Sequence, residues 1–196
     1  MATPNQSAAV IEYAHRASHC GTRLRLVSRE DAEFIISLRS NERLNRHISA
    51  TSDDVEQQRR WIDSYLGRFN LGIEAYFIIT HAGHSCGTIR MYDYDIDAGS
   101  FVYGSWLISP EAPASCAYSS TILNHDLGFS VLGFSKVCFE VRKENKSVCG
   151  FHGLIGASLI REDEINCYYE ITSAAYPHVR SKLEKFAHRF HERTPS

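Results

Sequence analysis

Three arginine side chains lie close together in the first quarter of the chain. Arg39, Arg43 and Arg46 fall within one eight-residue stretch, and His47 follows directly. A guanidinium group suits bidentate binding of phosphate or carboxylate, because its N–H donors form a planar fork. The stretch therefore predicts a binding site for an anionic molecule, with a solvated charged loop as the alternative interpretation.

The spacing of the cysteines and histidines indicates neither a metal site nor a dithiol motif. No two of the six cysteines form a C-x-x-C pair, and no histidines lie at H-E-x-x-H spacing. We therefore expect no bound metal. The cysteines are expected to be reduced thiols, mostly small core residues. They are Cys20, Cys86, Cys116, Cys138, Cys149 and Cys167.

The composition is that of a globular domain with an ordinary core. Hydrophobic residues make up 43% of the 196 residues and charged residues 22%, with a formal net charge of −2. This balance gives no overall basic field, so neither nucleic acid nor a membrane is expected as a partner. No apolar run approaches the roughly 20 residues that span a bilayer, and residues 1–19 lack a signal-peptide pattern. A cytoplasmic location is expected.

The hydrophobic patterns predict one domain over residues 21–196, preceded by a loosely ordered extension over residues 1–20. Residues 23–27 alternate as a strand, and Ser28 begins a helix with Asp31 in the position of a capping box. Three strands with short turns between residues 74 and 108 predict antiparallel hairpins. A later strand-helix-strand passage requires a parallel pair at the centre of the sheet.

An ordered series of short motifs spans residues 101–157. It comprises G-S-W-L at residues 104–107, L-G-F-S-K-V at residues 132–137, Glu140-Val141, Asn145 and Gly156-Ala157. In this order and spacing, the chain resembles the GNAT acyltransferase superfamily from about residue 23 to residue 172. Shorter matches over residues 38–47, 60–62 and 109–110 resemble bacterial sugar-amine acetyltransferases and ribosomal-protein alanine acetyltransferases.

The resemblance implies both a fold and an activity. The fold is α/β (α+β) of the GNAT type, with a central mixed, mostly antiparallel sheet of about seven strands and flanking helices. The activity is transfer of an acetyl group from acetyl-CoA to a primary amine, without a metal. The preferred acceptor is a nucleotide-linked amino sugar in bacterial surface-polysaccharide biosynthesis, because the arginine cluster favours an anionic acceptor.

The resemblance also places acetyl-CoA at the start of a central helix and along the strand before it. Free N–H groups and the positive end of the helix dipole would hold the pyrophosphate. The family loop, Arg/Gln-x-x-Gly-x-Gly/Ala, falls on residues 112–117, where Ala112 and Ser115 depart from the pattern. The implied cofactor-binding residues are Leu107, Ile108, Ser115, Cys116, Ala117, Tyr118, Ser119 and Asn145.

His152 is the implied catalytic residue. It stands where the family usually has a tyrosine that protonates the departing thiolate, and an imidazole donates a proton near neutral pH. A backbone N–H near Leu107 is implied as the donor to the thioester oxyanion. Trp106 is expected in the core, because large aromatic side chains chiefly fill interiors.

The base and the acceptor pocket are less defined. Many relatives carry a glutamate on the central strand, but the matching stretch, Phe101–Tyr103, has no carboxylate. Glu74, Asp93 and Asp95 remain as candidates, and Tyr103 is a candidate anchor for a water molecule. The implied acceptor-binding residues are Arg39, Arg46, Arg90 and Tyr92.

Two other functions stay open at this point. An enzyme of this type that acetylates a protein or peptide N-terminus would need an open groove for extended peptide. A GNAT-like domain that binds acyl-CoA without catalysis would explain the atypical loop and the missing carboxylate. Whatever the function, the resemblance allows for a homodimer through the last strand and helix.

Overall fold

The computed structural model describes residues 5–48 and 52–192, and its centre is one open sheet of seven strands. Across the sheet the order is β1-β2-β3-β4-β5-β7-β6, and every neighbouring pair is antiparallel except β4 and β5. The predicted fold class and its central parallel pair are confirmed. The strands are β1 (Thr22–Leu26), β2 (Ala75–His81), β3 (His84–Asp95), β4 (Ser100–Ile108), β5 (Lys136–Arg142), β6 (Ser158–Glu162) and β7 (Asn166–Thr172).

Six α-helices flank this sheet within the described residues. The predicted capping box precedes α2, since the Ser28 N–H donates to the Asp31 carboxylate at 2.8 Å. Helix α4 continues through a π-helical turn over Leu127–Val131, and Gly133 follows with φ +75°. The helices are α1 (Asn5–Arg16), α2 (Ala32–Arg39), α3 (Val55–Asn70), α4 (Ser115–Asp126), α5 (Lys146–Ile155) and α6 (Tyr176–His191).

Helices α3 and α4 cover opposite faces of the sheet. Arg90 and Met91 are successive residues of β3, so their side chains point to opposite faces. The Arg90 guanidinium lies 5.3 Å from the Trp61 ring of α3. Tyr103 pairs with Met91 across β3 and β4, and its ring lies 5.2 Å from His125 of α4. The central strands are therefore buried on both sides, which fits their near-continuous hydrophobic sequences.

Residues 5–16 form a packed helix, whereas the sequence analysis predicted a loosely ordered extension over residues 1–20. Residues 1–4 of that prediction lie outside the described part of the chain. Helix α1 buries Val10 and Tyr13 on one face. The Tyr13 hydroxyl donates to the Leu123 carbonyl of α4 at 3.0 Å. Isolated helices of this length are marginally stable in water. Helix α1 therefore depends on packing its short apolar stripe against α4. In the described part of the chain, no helix has the length and apolar character to cross a bilayer.

Candidate active site

A cleft opens between β4 and β5 because these strands diverge. Their parallel pairing ends at Val102 opposite Cys138, although β4 continues to Ile108 and β5 to Arg142. The space between them, here called the β4–β5 cleft, has a volume of about 340 Å³. Its walls include Tyr92, Tyr103, Ser105, Trp106, Glu140, Asn145 and His152. A gap between strands exposes backbone groups that an extended, amide-containing ligand can pair with.

A β-bulge at Ser105 turns a backbone donor towards this cleft. Two residues of β4, Ser105 and Trp106, face a single residue of β3. Ser105 has a φ of +47°, and its carbonyl accepts a hydrogen bond from the Thr88 hydroxyl of β3 at 2.7 Å. In a trans peptide the next N–H points opposite to that carbonyl. The Trp106 N–H is therefore directed away from β3, towards the cleft.

Beyond the bulge, Ile108 presents its backbone in the same direction. The Ser109 N–H donates to the Cys86 carbonyl of β3 at 2.8 Å. Backbone groups alternate sides along an antiparallel ladder, so Leu107 bonds towards β3 and Ile108 towards the cleft. The Trp106 N–H is thus the donor nearest to the position expected for the oxyanion contact, while Leu107 itself is buried.

The Trp106 side chain was expected in the core, and the structure corrects this expectation. The half-buried ring lines the cleft. Its indole N–H donates to the Ser120 hydroxyl of α4 at 3.2 Å, and its ring centroid lies 5.0 Å from that of Phe151 of α5. The indole therefore bridges α4 and α5 across the cleft, a position that the bulge creates and the sequence pattern does not reveal.

A second space, the α2–α3 cavity, lies between these two helices and the sheet. Its volume is about 380 Å³. Arg39 and Ser105 line both this cavity and the β4–β5 cleft, so the two spaces meet beside the bulge. Two guanidinium groups and two aromatic rings in its wall suit a ligand that has an anionic group and a flat ring. The lining residues are Ile35, Arg39, Ser52, Gln57, Gln58, Trp61, Tyr76, Arg90 and Ser105.

The Arg90 side chain is fixed in the wall of this cavity. Its Nε donates to the Glu74 carboxylate at 2.7 Å, and Arg68 pairs with the other oxygen of that carboxylate. The Arg90 guanidinium lies 5.3 Å from the Trp61 ring and 4.8 Å from the Tyr92 ring. Glu74 is buried with both oxygens engaged by arginines. Glu74 therefore orients the Arg68 and Arg90 side chains, and it is not available as the base that the sequence analysis considered.

Glu140 is the carboxylate that the sequence analysis missed. The other two candidate bases, Asp93 and Asp95, are exposed and line neither space, and Asp95 accepts a hydrogen bond from the Ala98 N–H at 2.8 Å. Glu140 lies on β5 and is the one carboxylate among the described residues that line the cleft and the cavity. The sequence signal for Glu140 is the alternation along β5. Its side chain points away from the core between the buried residues Phe139 and Val141.

His152 lies in the cleft wall, enclosed by aromatic rings. It is 1% exposed, and its ring centroid lies 4.2 Å from that of Phe139 and 5.6 Å from that of Tyr169. Burial, with a smaller contribution from His125, lowers the pKa of His152 from 6.5 to about 3. The imidazole is therefore uncharged at neutral pH, and the proton donation expected of His152 stays a prediction. The Tyr103 hydroxyl lies 3.2 Å from its Nε2.

Three of the predicted phosphate-loop residues point into the protein. Ser115, Cys116 and Ser119 are fully buried. The Thr22 hydroxyl donates to the Cys116 thiol at 3.7 Å, and the Ser119 hydroxyl lies 3.0 Å from Nδ1 of His19. The Cys116 and Ser119 side chains are therefore committed to internal contacts, whereas the buried Ser115 hydroxyl has no hydrogen-bond partner among the described residues. Free backbone N–H groups in the first turn of α4 remain for an anion.

The other predicted site residues divide between the cleft and the surface. Asn145 lines the cleft and caps α5, where its Oδ1 accepts the Val148 N–H at 3.2 Å. Ala117 and Tyr118 are half-buried in the first turn of α4. Arg46 lies outside both spaces, and its Nε donates to a backbone carbonyl in its own loop at 3.2 Å.

The two adjoining spaces, with backbone donors at their junction, are an arrangement that suits a group-transfer enzyme. The family model described as Acetyltransferase (GNAT) domain matches residues 22–158. The chain belongs to the GNAT acetyltransferase family, as its motif series predicts, and is an acetyl-CoA-dependent N-acetyltransferase. A comparison with curated proteins gives no significant match.

Solved structures of this fold include one with substantial sequence similarity. The protein described as apo FdhC, a nucleotide-linked sugar GNAT, is 40% identical, with a TM-score of 0.75 over 87% of this chain and 94% of that chain. RimJ of Mycobacterium smegmatis, in complex with CoA-disulfide, is 16% identical, with a TM-score of 0.72 over 85% and 90% of the two chains. Spermidine N-acetyltransferase of Vibrio cholerae, in complex with CoA and spermine, is also 16% identical, with a TM-score of 0.72 over 81% and 99%. The last two share the fold alone.

Proposed function

We propose that this enzyme acetylates the amine of a nucleotide-linked amino sugar. The observation that carries the proposal is the α2–α3 cavity, whose arginines and aromatic rings meet the β4–β5 cleft at Ser105. A nucleoside diphosphate offers a flat base and two phosphates to such a wall. The 40% identity to a nucleotide-linked sugar GNAT supports the same acceptor class.

Acetyl-CoA occupies the β4–β5 cleft in this proposal. The N-terminus of α4, including the Ala117 N–H, supplies free backbone donors to the pyrophosphate, and Tyr118 lies in the same turn. The pantetheine amides pair with the backbone of Ile108. The Asn145 side chain caps α5 through Oδ1, so its amide NH₂ is available to donate to the pantetheine. The N–H of Trp106 donates to the thioester oxygen as negative charge develops on it.

The acceptor lies in the α2–α3 cavity with its amine directed past Ser105. Arg90 and Arg39 contact the phosphates, and Tyr92 lies beside the junction on the cleft side. Glu140 takes the proton from the amine, directly or through one water molecule, as nitrogen attacks the thioester carbon. The tetrahedral intermediate collapses with cleavage of the C–S bond, and the CoA thiolate leaves.

We assign His152 a neutral role at the departing sulfur. An uncharged imidazole still has one N–H, which stabilises a thiolate by hydrogen bonding without transferring a proton from an imidazolium. The leaving thiolate then takes its proton from solvent. Tyr103, at 3.2 Å from Nε2, orients the ring and favours one tautomer.

A pair of substitutions at this position separates hydrogen bonding from ring packing. His152→Phe is expected to lower kcat about 10- to 100-fold, since a hydrogen bond to a charged group contributes roughly 1.5–3 kcal/mol. His152→Gln keeps a neutral donor and is expected to stay closer to wild type. The wild-type kcat profile should show no inflection near 6.5 from this residue, because its pKa is about 3. An inflection near 6.5 that disappears in His152→Gln would restore the imidazolium mechanism.

Thiol release from acetyl-CoA, measured across a panel of acceptors, tests the proposed function. Nucleoside diphosphate amino sugars should be turned over with much higher kcat/KM than the matching free amino sugars, spermidine or basic peptides. Preference for peptides would overturn the proposed acceptor. Calorimetry without binding of acetyl-CoA at millimolar concentration would instead support a non-catalytic domain.

We further propose that two copies of the chain pair through β6. This strand forms one edge of the sheet, and its Leu159 and Ile160 are 49% and 56% exposed. An exposed apolar edge strand is a template for pairing with another strand, and a two-fold dimer covers both edges at once. Light scattering should give a dimer for the wild type and a monomer for Leu159→Lys. Leu71→Lys, also at an exposed leucine, should remain dimeric, and a monomeric wild type contradicts the proposal.

A further inference from the structure

A tight turn between α1 and β1 places a cysteine in an unusual backbone conformation. His19 and Thr22 exchange backbone hydrogen bonds of 2.9 and 2.8 Å. The two residues between them, Cys20 and Gly21, have φ values of +44° and +74°. A two-residue turn with two positive φ values favours Asn, Asp or Gly at its first central position, so cysteine there costs conformational energy. This cost suggests that the thiol itself is used.

The turn brings the thiol beside two imidazoles from opposite ends of the chain. One ligand atom each from His19, Cys20 and His188 lies within 4.8 Å of the others. The Cys20 Sγ lies 3.5 Å from Nδ1 of His188. Ligand atoms bound at about 2.0–2.3 Å around a tetrahedral zinc ion lie roughly 3.3–3.7 Å apart. The cluster is therefore close to the spacing that a bound ion requires.

An outer hydrogen bond orients one of these imidazoles. Nδ1 of His19 lies 3.0 Å from the Ser119 hydroxyl of α4. With Nδ1 on this hydroxyl, Nε2 would be the ligand atom, in the arrangement that most metal-binding histidines have, with the second ring nitrogen held by a polar partner. His19 and Cys20 are half-buried and His188 is exposed, so solvent reaches the remaining coordination position.

We propose that His19, Cys20 and His188 bind a zinc ion. Two imidazole nitrogens and one thiolate form a ligand set that zinc favours, with water as the fourth ligand. Binding breaks the S–H bond of Cys20 and releases its proton to solvent, and no redox change is involved. The ion ties the C-terminal part of α6 to the α1–β1 turn. The site is separate from the β4–β5 cleft, and zinc there would depart from the sequence-based expectation of no metal.

Zinc titration of the reduced, tag-free full-length protein tests the proposal. Calorimetry with ZnCl₂ should give one site of micromolar affinity or better, and zinc should raise Tm by mass action. Co²⁺ should give a thiolate-to-metal charge-transfer absorption. Wild-type affinity no better than millimolar, or the absence of that absorption, would overturn the proposal.

Matched variants distinguish coordination from general surface binding. Cys20→Asn suits the positive φ, so it should fold at least as stably without zinc while losing at least tenfold in zinc affinity. Ser119→Ala removes the hydrogen bond to Nδ1 of His19 and should lower the zinc affinity about tenfold. His191→Ala removes a histidine from the same end of α6 and should leave the affinity unchanged. Wild-type affinity in Cys20→Asn would show that the thiol is not a ligand.

Discussion

Glu140→Gln is expected to lower kcat about 10²- to 10⁴-fold, the usual contribution of a general base. Glutamine keeps the size and hydrogen-bonding shape of the side chain but cannot accept the amine proton. The KM for acetyl-CoA should change little, because the proposed role of Glu140 concerns the acceptor amine. Steady-state kinetics with saturating nucleotide-linked amino sugar would measure the effect.

The pH dependence provides the second part of this test. Without a base, the variant depends on the free amine in solution, so its rate should keep rising with pH until the acceptor is deprotonated. Glu144→Gln removes an exposed carboxylate from the turn after β5 that lines neither space, and it should behave as wild type. Activity of Glu140→Gln within threefold of wild type would eliminate this base, and a change confined to the acceptor KM would indicate a binding role.

Arg90→Lys is expected to raise the KM for a nucleotide-linked acceptor about 10- to 100-fold. The loss corresponds to roughly 1.5–3 kcal/mol for a hydrogen bond to a charged group, since a lysine ammonium cannot bind Glu74 through one edge and a phosphate through the other, as a guanidinium can. The KM for acetyl-CoA should stay near wild type. The KM for a free amino sugar, which has no phosphates, should change little in this variant.

Arg68→Lys is the control for structural effects at Arg90. Arg68 pairs with the same Glu74 carboxylate and lies 5.5 Å from the same Trp61 ring, but it does not line the α2–α3 cavity. Its replacement disturbs the same buried ion-pair network without removing a ligand contact. Equal increases in acceptor KM for both variants would show that Arg90 acts only through packing.

The order of strands and helices followed from hydrophobic periodicity. Apolar alternation with short turns before residue 108 specified antiparallel neighbours, and the later β-α-β passage admitted only a parallel central pair. That parallel pairing then ended early, which opened the cleft. Asn145 and Arg90 were predicted from the family resemblance to bind the cofactor and the acceptor; Asn145 lines the cleft and Arg90 lines the cavity, and their roles stay predictions.

Other parts of the site depend on contacts that no local pattern encodes. The bulge at Ser105 requires a positive φ in a residue other than glycine, which tertiary hydrogen bonding to Thr88 supports. The neutral state of His152 results from aromatic rings on several elements. His19 and His188 meet only when α6 packs against α4, so spacing rules for metal motifs do not detect them.

The shared wall between the cleft and the cavity has a kinetic consequence. Ser105 and Arg39 line both spaces. With the substrates placed as proposed, we therefore expect amine and thioester to meet without an intermediate carrier and turnover to proceed through a ternary complex. Double-reciprocal plots for such a scheme intersect rather than run parallel. If one bound substrate shifts Arg39, the dissociation constant of the other substrate changes. By thermodynamic reciprocity, each substrate changes the dissociation constant of the other by the same factor.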